Sequence, residues 1–456
     1  MLDNGHKGTD SMRKVLMLAY VFPPFFSVGG SIRIVKFIKY LPALGWLPVV
    51  LTIDDSREYD TQRKQGSEVL LKEISSQVKI YRTTAGEPTV EFLEKGRSLR
   101  RKNRFAAILI NLLRDVRKWA RRTFLLPDEN ILWLPFGLKT GKTIVQKEGI
   151  DIIFVTCPPH SISLVGVFLK MLTRKPLVVD YRDDWIDTPW FGSKPRFSRW
   201  IERRLERLVV RTADKVVLVT DWSKRAFEAR YPGESPGKFI LVPNGCDLDD
   251  YQILRNSTPP LQKRFSIVHA GLLSVAEDWR RSPEPFFQAI NNLKVQNPSI
   301  AANLKVIFTG NLPERYRDLV SAMNLTDVVE ETGFLPRAEL LKLMQSAGLL
   351  LAINYEGFLT LIPGKIYDYW AVGGPPILLL SCEGAAQSLI ERHRLGATVL
   401  PDDVQAIQDA ISEFYSRYEK GQPIQLSLNG IEAYDRKELS KKMAQTFAHV
   451  LSGASD

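Results

Sequence analysis

The stretch "LTLIPGKIYDYWAVGGPPILLL", from Leu359 to Leu380, sets a Pro-Gly-Lys turn before a helix-like run and closes that run with Gly-Gly-Pro-Pro and an apolar segment. A helix start leaves several backbone N–H groups without partners and carries the positive end of the macrodipole, so it is a ready anion site. Gly364 lets a phosphate approach the backbone and Lys365 adds charge. A capped surface helix is written with the same residues, so the surroundings must decide.

Working outward, short apolar runs alternate with amphipathic stretches: "KVLMLAY", "LPVVLTI", "QVKIYRT", "DIIFVTC", "PLVVDYR", "KVVLVT" and "FILVPN". That is the rhythm of a parallel sheet wrapped by helices. After a polar stretch, "QILRNSTPPLQKR", the rhythm restarts with "FSIVHAG", "LKVIFTG", "DVVEETG", "GLLLAIN" and "PPILLLS". The pattern predicts an α/β protein of two doubly wound domains, residues 1–250 and 251–456, with the boundary near Tyr251. Ligands of such sheets sit at the carboxyl ends of the strands, where Gly271, Gly310 and Gly333 fall. A final amphipathic helix, Arg436 to Leu451, is able to pack on either domain.

A chain of 456 residues exceeds the size at which one core stops growing, in keeping with two domains. No run approaches the roughly 18 consecutive apolar residues of a membrane helix, and the amino end lacks the apolar length of a signal peptide, so a cytoplasmic protein is expected. Cys157, Cys246 and Cys382 show no CxxC spacing and no nearby histidine cluster, which suggests neither a disulfide framework nor a metal site. The net charge of +11 invites nucleic acid, an anionic membrane face or a polyanionic substrate. It is concentrated between Arg97 and Arg122, with ten Lys or Arg against one acid, Asp115. Apolar residues there, from Phe105 through Leu112 and Val116 to Trp119, recur at helical spacing. No RNP, KH or zinc-finger pattern supports a nucleic-acid partner.

Eight motifs in order carry a resemblance: "VFPPFFSVGGSIRIVKFIKYLPALGWLPVVLT", "PDENILWLPFG", "VTCPPHSISLVG", "VVDYRDDW", "VPNGCD", "AGLLSVAEDWRRSPEPFFQAI", "ETGFLPRAELLKLMQSAGLLLAI" and "IPGKIYDYWAVGGPPIL". The chain resembles the GT-B glycosyltransferases, most closely the family 4 type that builds bacterial surface polysaccharides. The resemblance implies two Rossmann-like domains facing a cleft, the first for the acceptor and the second for a nucleotide diphosphate sugar. It implies a retaining, metal-independent hexosyl transfer to a glycan or lipid-linked acceptor, with no cofactor beyond the donor substrate. Gly364 and Lys365 would then meet the diphosphate, together with Arg281 of "WRRSPEP", for which Arg280 is the rival and a solvated arginine the plain alternative. Gly271 and the backbone near Gly333 and Phe334 would meet the nucleotide, and Asp368 its ribose. The match is imperfect, since Phe286 stands where relatives often carry a lysine and Thr360 where they carry the first of two glutamates.

In the first domain, Gly29 and Gly30 lie between the first strand and its helix, where backbone N–H groups come close to a sugar or phosphate; an ordinary strand-to-helix turn reads the same. His160 follows a strand and two prolines, and resembles the histidine that contacts the sugar in this family, against the alternative of a structural histidine. The expected catalytic set is His160, Arg281 and Lys365. Arg182, Asp183 and Asp184 also end a strand, as cleft residues or as an ion pair pinning a loop. A sugar nucleotide 2-epimerase of the same fold and a non-catalytic nucleic-acid binder are the alternatives. A metal-dependent GT-A enzyme would need an acidic pair such as "DLDD" at Asp247, which falls at the domain junction. Residues 100–122 would either pack as scaffold or dock reversibly on anionic lipid at the inner face of the membrane, through Arg114, Arg117, Lys118 and Arg121.

Overall fold

The computed structural model describes residues 12–24, 30–54, 69–84, 123, 125–254, 264–271, 273, 282–354 and 357–453. Gly29, Arg280, Arg281 and the basic stretch 100–122 lie outside these. The apolar runs form two parallel sheets. The first holds β1 (Arg13–Leu18), β2 (Trp46–Asp54), β3 (Lys79–Thr84), β4 (Ile152–Cys157), β5 (Leu177–Tyr181), β6 (Lys215–Leu218) and β7 (Phe239–Leu241) in the order β3-β2-β1-β4-β5-β6-β7. The second holds β8 (Phe265–Ala270), β9 (Leu304–Thr309), β10 (Val329–Gly333), β11 (Leu349–Ile353), β12 (Ile377–Leu380) and β13 (Gly396–Val399) in the order β10-β9-β8-β11-β12-β13. The α/β architecture of two doubly wound sheets is therefore the one expected.

Strands such as β4 and β11 are buried along their whole length because helices cover both faces, which is why they read as unbroken apolar runs. Each sheet carries a core on either side. Strand order reverses at β1/β4 in the first sheet and at β8/β11 in the second. Crevices open at such switch points beyond the carboxyl ends of the strands. Helix α1 (Gly30–Tyr40) follows β1 and α2 (Ser161–Thr173) follows β4. Helices α3 (Arg196–Thr212) and α4 (Asp221–Arg230) flank the far side of the first sheet; in the second domain α5 (Arg337–Gln345) precedes β11 and α6 (Lys365–Val372) follows it.

The last helix, α7 (Arg436–Ser452), returns to the first domain and lies against α1. Phe447 is fully buried there, its ring 5.2 Å from that of Trp46 and 5.7 Å from that of Phe154. The two crossings between domains touch: Cys246 N–H donates to the Tyr434 carbonyl (3.1 Å) and Arg436 N–H to the Cys246 carbonyl (2.9 Å). A Cβ at Gly245 would lie 1.8 Å from the Tyr434 oxygen, so the glycine of "VPNGCD" is required by a close backbone approach. Tyr251 and Leu254, just beyond, already pack in the second domain's core.

Candidate active site

On the second sheet, the switch point gathers Gly271, Gly364 and Lys365. Gly271 ends β8 at φ +101°, a left-handed conformation that favours glycine, and a Cβ there would come 3.8 Å from Lys365 Nζ. Lys365 Nζ lies 2.8 Å from Nε2 of His269, a fully buried residue of β8 whose ring packs 5.4 Å from Phe308. The contact holds the lysine over the end of β8 instead of letting it trail into solvent. Gly364 is exposed, and a Cβ added to it would meet nothing within 4 Å, so the mouth of α6 is open on that side. A cation, a helix N-terminus and a bare stretch of backbone thus converge on one space, an arrangement that binds and stabilises phosphate charge.

Gly333 and Phe334 sit farther along the same rim. Gly333, at φ +69°, ends β10 and accepts from Gly310 N–H (2.7 Å), and Phe334 is half exposed. Asp368 lies one turn into α6, and its Oδ1 accepts from the Tyr251 hydroxyl and from Arg337 (3.3 Å) of α5. The Arg337 guanidinium also caps the Tyr251 ring at 5.3 Å. Asp368 therefore joins the interdomain segment to α5 on a face of α6 next to that of Lys365.

On the first sheet, Gly30 begins α1 at the end of β1 and His160 precedes α2 at the end of β4. His160 stacks on Trp185 (centroids 5.0 Å apart, planes at 9°), and Trp185 Nε1 donates to Glu202 of α3 (2.9 Å). Arg182 donates to the carbonyls of Cys157 (3.0 Å) and Pro158 (2.5 Å), fixing the turn that carries His160. Behind it, Asp128 of "PDENILW" accepts from the Ser161 backbone (3.0 Å) and hydroxyl (2.6 Å). Burial, reinforced by the charges of Lys194 and Arg182, pushes the His160 pKa down to about 3, so the ring is neutral at physiological pH. Its Nδ1 is buried with no hydrogen-bond partner among the described residues. Burial also raises the Asp184 carboxyl to about 6 although it accepts from Ser223. Arg182 and Asp184 thus hold backbone and hydroxyl groups, not each other.

Several residues at this site carried no recognised signal. Arg33 is 1% exposed and pairs with both oxygens of Asp180 (2.8 and 3.1 Å) while donating to the Val242 and Pro243 carbonyls (2.9 and 2.6 Å). It ties the helix after β1 to β5 and to the interdomain crossing. The available clue was a cation amid apolar neighbours in "SIRIVKFI". Asp247 of "DLDD" is held by Lys36 (2.7 Å), Lys39 (2.8 Å) and the Tyr40 hydroxyl (2.7 Å), so it fastens the end of α1 to the same crossing.

Comparison with known proteins agrees with this geometry. Residues 29–245 match the family described as glycosyl transferase 4-like domain. Among solved structures, sucrose-phosphate synthase from Thermosynechococcus elongatus superposes with a TM-score of 0.65 at 16% identity, over 97% of this chain and 100% of that one. A glycosyltransferase from Rickettsia africae gives 0.64 at 12% identity, over 97% and 99% of the two chains. HepE of Anabaena, solved with UDP, gives 0.59 at 15% identity, over 96% and 100%. No curated protein sequence matches the chain. Residues 29–245 thus match a glycosyl transferase 4-like domain, and the chain as a whole has the two-domain GT-B fold of these structures.

Proposed function

We propose that the protein transfers a hexosyl group, with retention and without a metal, from a nucleoside diphosphate sugar to a glycan or lipid-linked acceptor in surface polysaccharide synthesis at the cytoplasmic face of the membrane. The observation that carries the reading is the meeting of Lys365, Gly271 and the open start of α6 at the second switch point. Departure of a nucleoside diphosphate develops charge on its phosphates, and fixed donors placed there lower the barrier without reorganising. Arg281, outside the described residues, is assigned to the same diphosphate on the strength of its motif. HepE, of the same fold, binds UDP and UDP-glucose, which favours a uridine donor here.

His160 faces the cleft from the other sheet as a neutral ring. Its task is then to orient sugar hydroxyls, and the acceptor's proton passes to the departing phosphate on the same face, which is the route to retention. Among the described residues no helix is long and apolar enough to cross a membrane, so contact with a lipid-linked acceptor would be peripheral.

Calorimetry with UDP tests the reading. Wild type should bind, and Lys365→Ala should weaken binding by about tenfold or more, as expected for loss of a charge-assisted contact of about 1.5 to 3 kcal/mol. Equal affinity in the two proteins would remove Lys365 from the donor site. An anomeric product of inverted configuration, or free epimerised sugar nucleotide in place of a glycoside, would overturn the reaction itself.

A further inference from the structure

Beside the cleft, in the first domain, a cavity of about 560 Å³ opens between α3 and the short helix Pro189–Gly192, with Gly357 of the second domain at its edge. Its walls include Arg199, Arg203, Arg207 and Arg230. The first three recur every four residues along α3, so they stand on one stripe of the helix. Arg230 is neutralised by Asp187 and by Glu206 (2.8 Å). Among the described residues the stripe has no such balance. Arg203 lies over the Phe191 ring at 5.6 Å, Arg199 has its Nε buried without a hydrogen-bond partner, and none of the three meets a carboxylate among the described residues. Asp187, the acid in the wall, is taken by Arg230.

Three arginines on one stripe, two of them exposed and none with a carboxylate partner among the described residues, suit a multiply charged anion. Planar forks suit phosphate oxygens, which they meet in pairs. The volume falls within the range of about 300–1,000 Å³ usual for small-ligand sites. Position adds to chemistry. Thr188 lines both this cavity and the small hollow where Arg182 and Asp184 meet Thr360 of the second domain, so an occupant would sit next to the reacting centre. The buried side of α3 carries Glu202, which holds the tryptophan stacked on His160.

We propose that this cavity binds the phosphate or diphosphate group of the sugar acceptor, setting its hydroxyl against the donor. The inference rests on the transferase reading above and adds that the acceptor is phosphorylated. Next to the arginine stripe, α3 exposes Phe197 (59%) and Trp200 (54%), whose rings stack at 6.4 Å with Arg204 over Trp200 at 4.9 Å. Such a surface suits the first isoprene units of a lipid diphosphate, whereas a soluble sugar phosphate would not use it.

The test is calorimetry on the full chain already saturated with UDP, so that the donor site is filled, titrated with inorganic pyrophosphate at low salt. Wild type should take up pyrophosphate, and Arg203→Glu/Arg207→Glu should weaken it by about tenfold or more, with Arg203→Lys/Arg207→Lys in between. UDP affinity should stay unchanged in both variants, since neither residue touches the donor site. Farnesyl diphosphate then separates the sources. Binding tighter than pyrophosphate, lost in Phe197→Ala/Trp200→Ala, assigns a lipid acceptor, and equal binding assigns a soluble one. Should the glutamate variant fail to fold by thermal unfolding, Arg203→Gln/Arg207→Gln replaces it with the same expectation. Pyrophosphate that does not bind the UDP-saturated protein, or binds equally after charge reversal, overturns the cavity's role while leaving the donor site intact. Absence of binding by UDP and by the other nucleoside diphosphates overturns the transferase reading instead.

Discussion

The two walls of the cleft are built on the same plan, a sheet reversing its strand order, yet they use their polar groups in opposite ways. On the first wall the side chains near the strand ends hold one another: Arg33 pairs with Asp180, Arg182 grips two carbonyls, and Trp185 is clamped by Glu202 while it stacks on His160. On the second, the working surface is backbone at Gly271 and Gly364 with one lysine leaning over it. On the proposed reading, a wall of interlocked side chains would fix the position of a sugar. One of bare backbone and charge would answer a diphosphate whose charge changes during reaction. The first wall should therefore be sensitive to packing and the second to charge.

The largest effect should come from the core behind the first wall. Phe447 is fully buried between Trp46 and Phe154, so Phe447→Ala is expected to cost about 3 to 5 kcal/mol by loss of burial and creation of a cavity. Chemical denaturation measures it. UDP affinity should remain within about twofold of wild type because the second wall has its own cores. A parallel loss of UDP binding would show that the two walls are one cooperative unit and break the contrast.

The strands and the division into two parallel sheets were legible in the sequence because buried parallel strands are unbroken apolar runs and their ends fall on glycine or polar turns, whereas the strand order was not. The turn at Gly364 and Lys365 could likewise be read as the start of a helix. What could not be read was pairing. An arginine within an amphipathic helix ordinarily lies in solvent, and only the fold brings Arg33 to Asp180, far along the chain on β5. For the same reason Asp368 gave no hint of Tyr251 and Arg337, nor Lys365 of His269. Nothing in the sequence singled out the arginines of α3. Their cavity exists because the short helix Pro189–Gly192 and a loop of the second domain stand opposite them.

The crossing between the walls sharpens the contrast at a smaller scale. Burial alone would raise the Asp247 pKa, but hydrogen bonds from Lys36, Lys39 and Tyr40 outweigh it and hold the carboxyl down to about 2. A folded-state value below the unfolded one means stabilisation that is present above pH 4 or so and lost as pH falls toward 2. Its size is on the order of 2 kcal/mol. Asp247→Asn should lower stability by that order at pH 7, and the gap from wild type should narrow as the medium is acidified to pH 3. A gap that does not change with pH would mean that the aspartate acts by shape and not by charge.

The smallest effect expected is the absence of one. If the first wall positions and does not exchange protons, His160 must stay neutral across the working range. Burial and the charges of Lys194 and Arg182 lower its pKa to about 3, so its imidazole should show no titration by NMR between pH 5 and 8, where an ordinary histidine would change state. The linkage has a definite sign. The folded value lies below the unfolded one, so the native state binds fewer protons, and stability falls as pH drops below the ordinary histidine range toward the depressed value. His160→Gln keeps a polar side chain but loses the ring that stacks on Trp185, so its damage should appear in KM for the donor sugar more than in UDP affinity. A titration midpoint near 6.5 that tracked the pH profile of kcat would instead make His160 a proton-transfer group, and the first wall would share the chemistry assigned to the second.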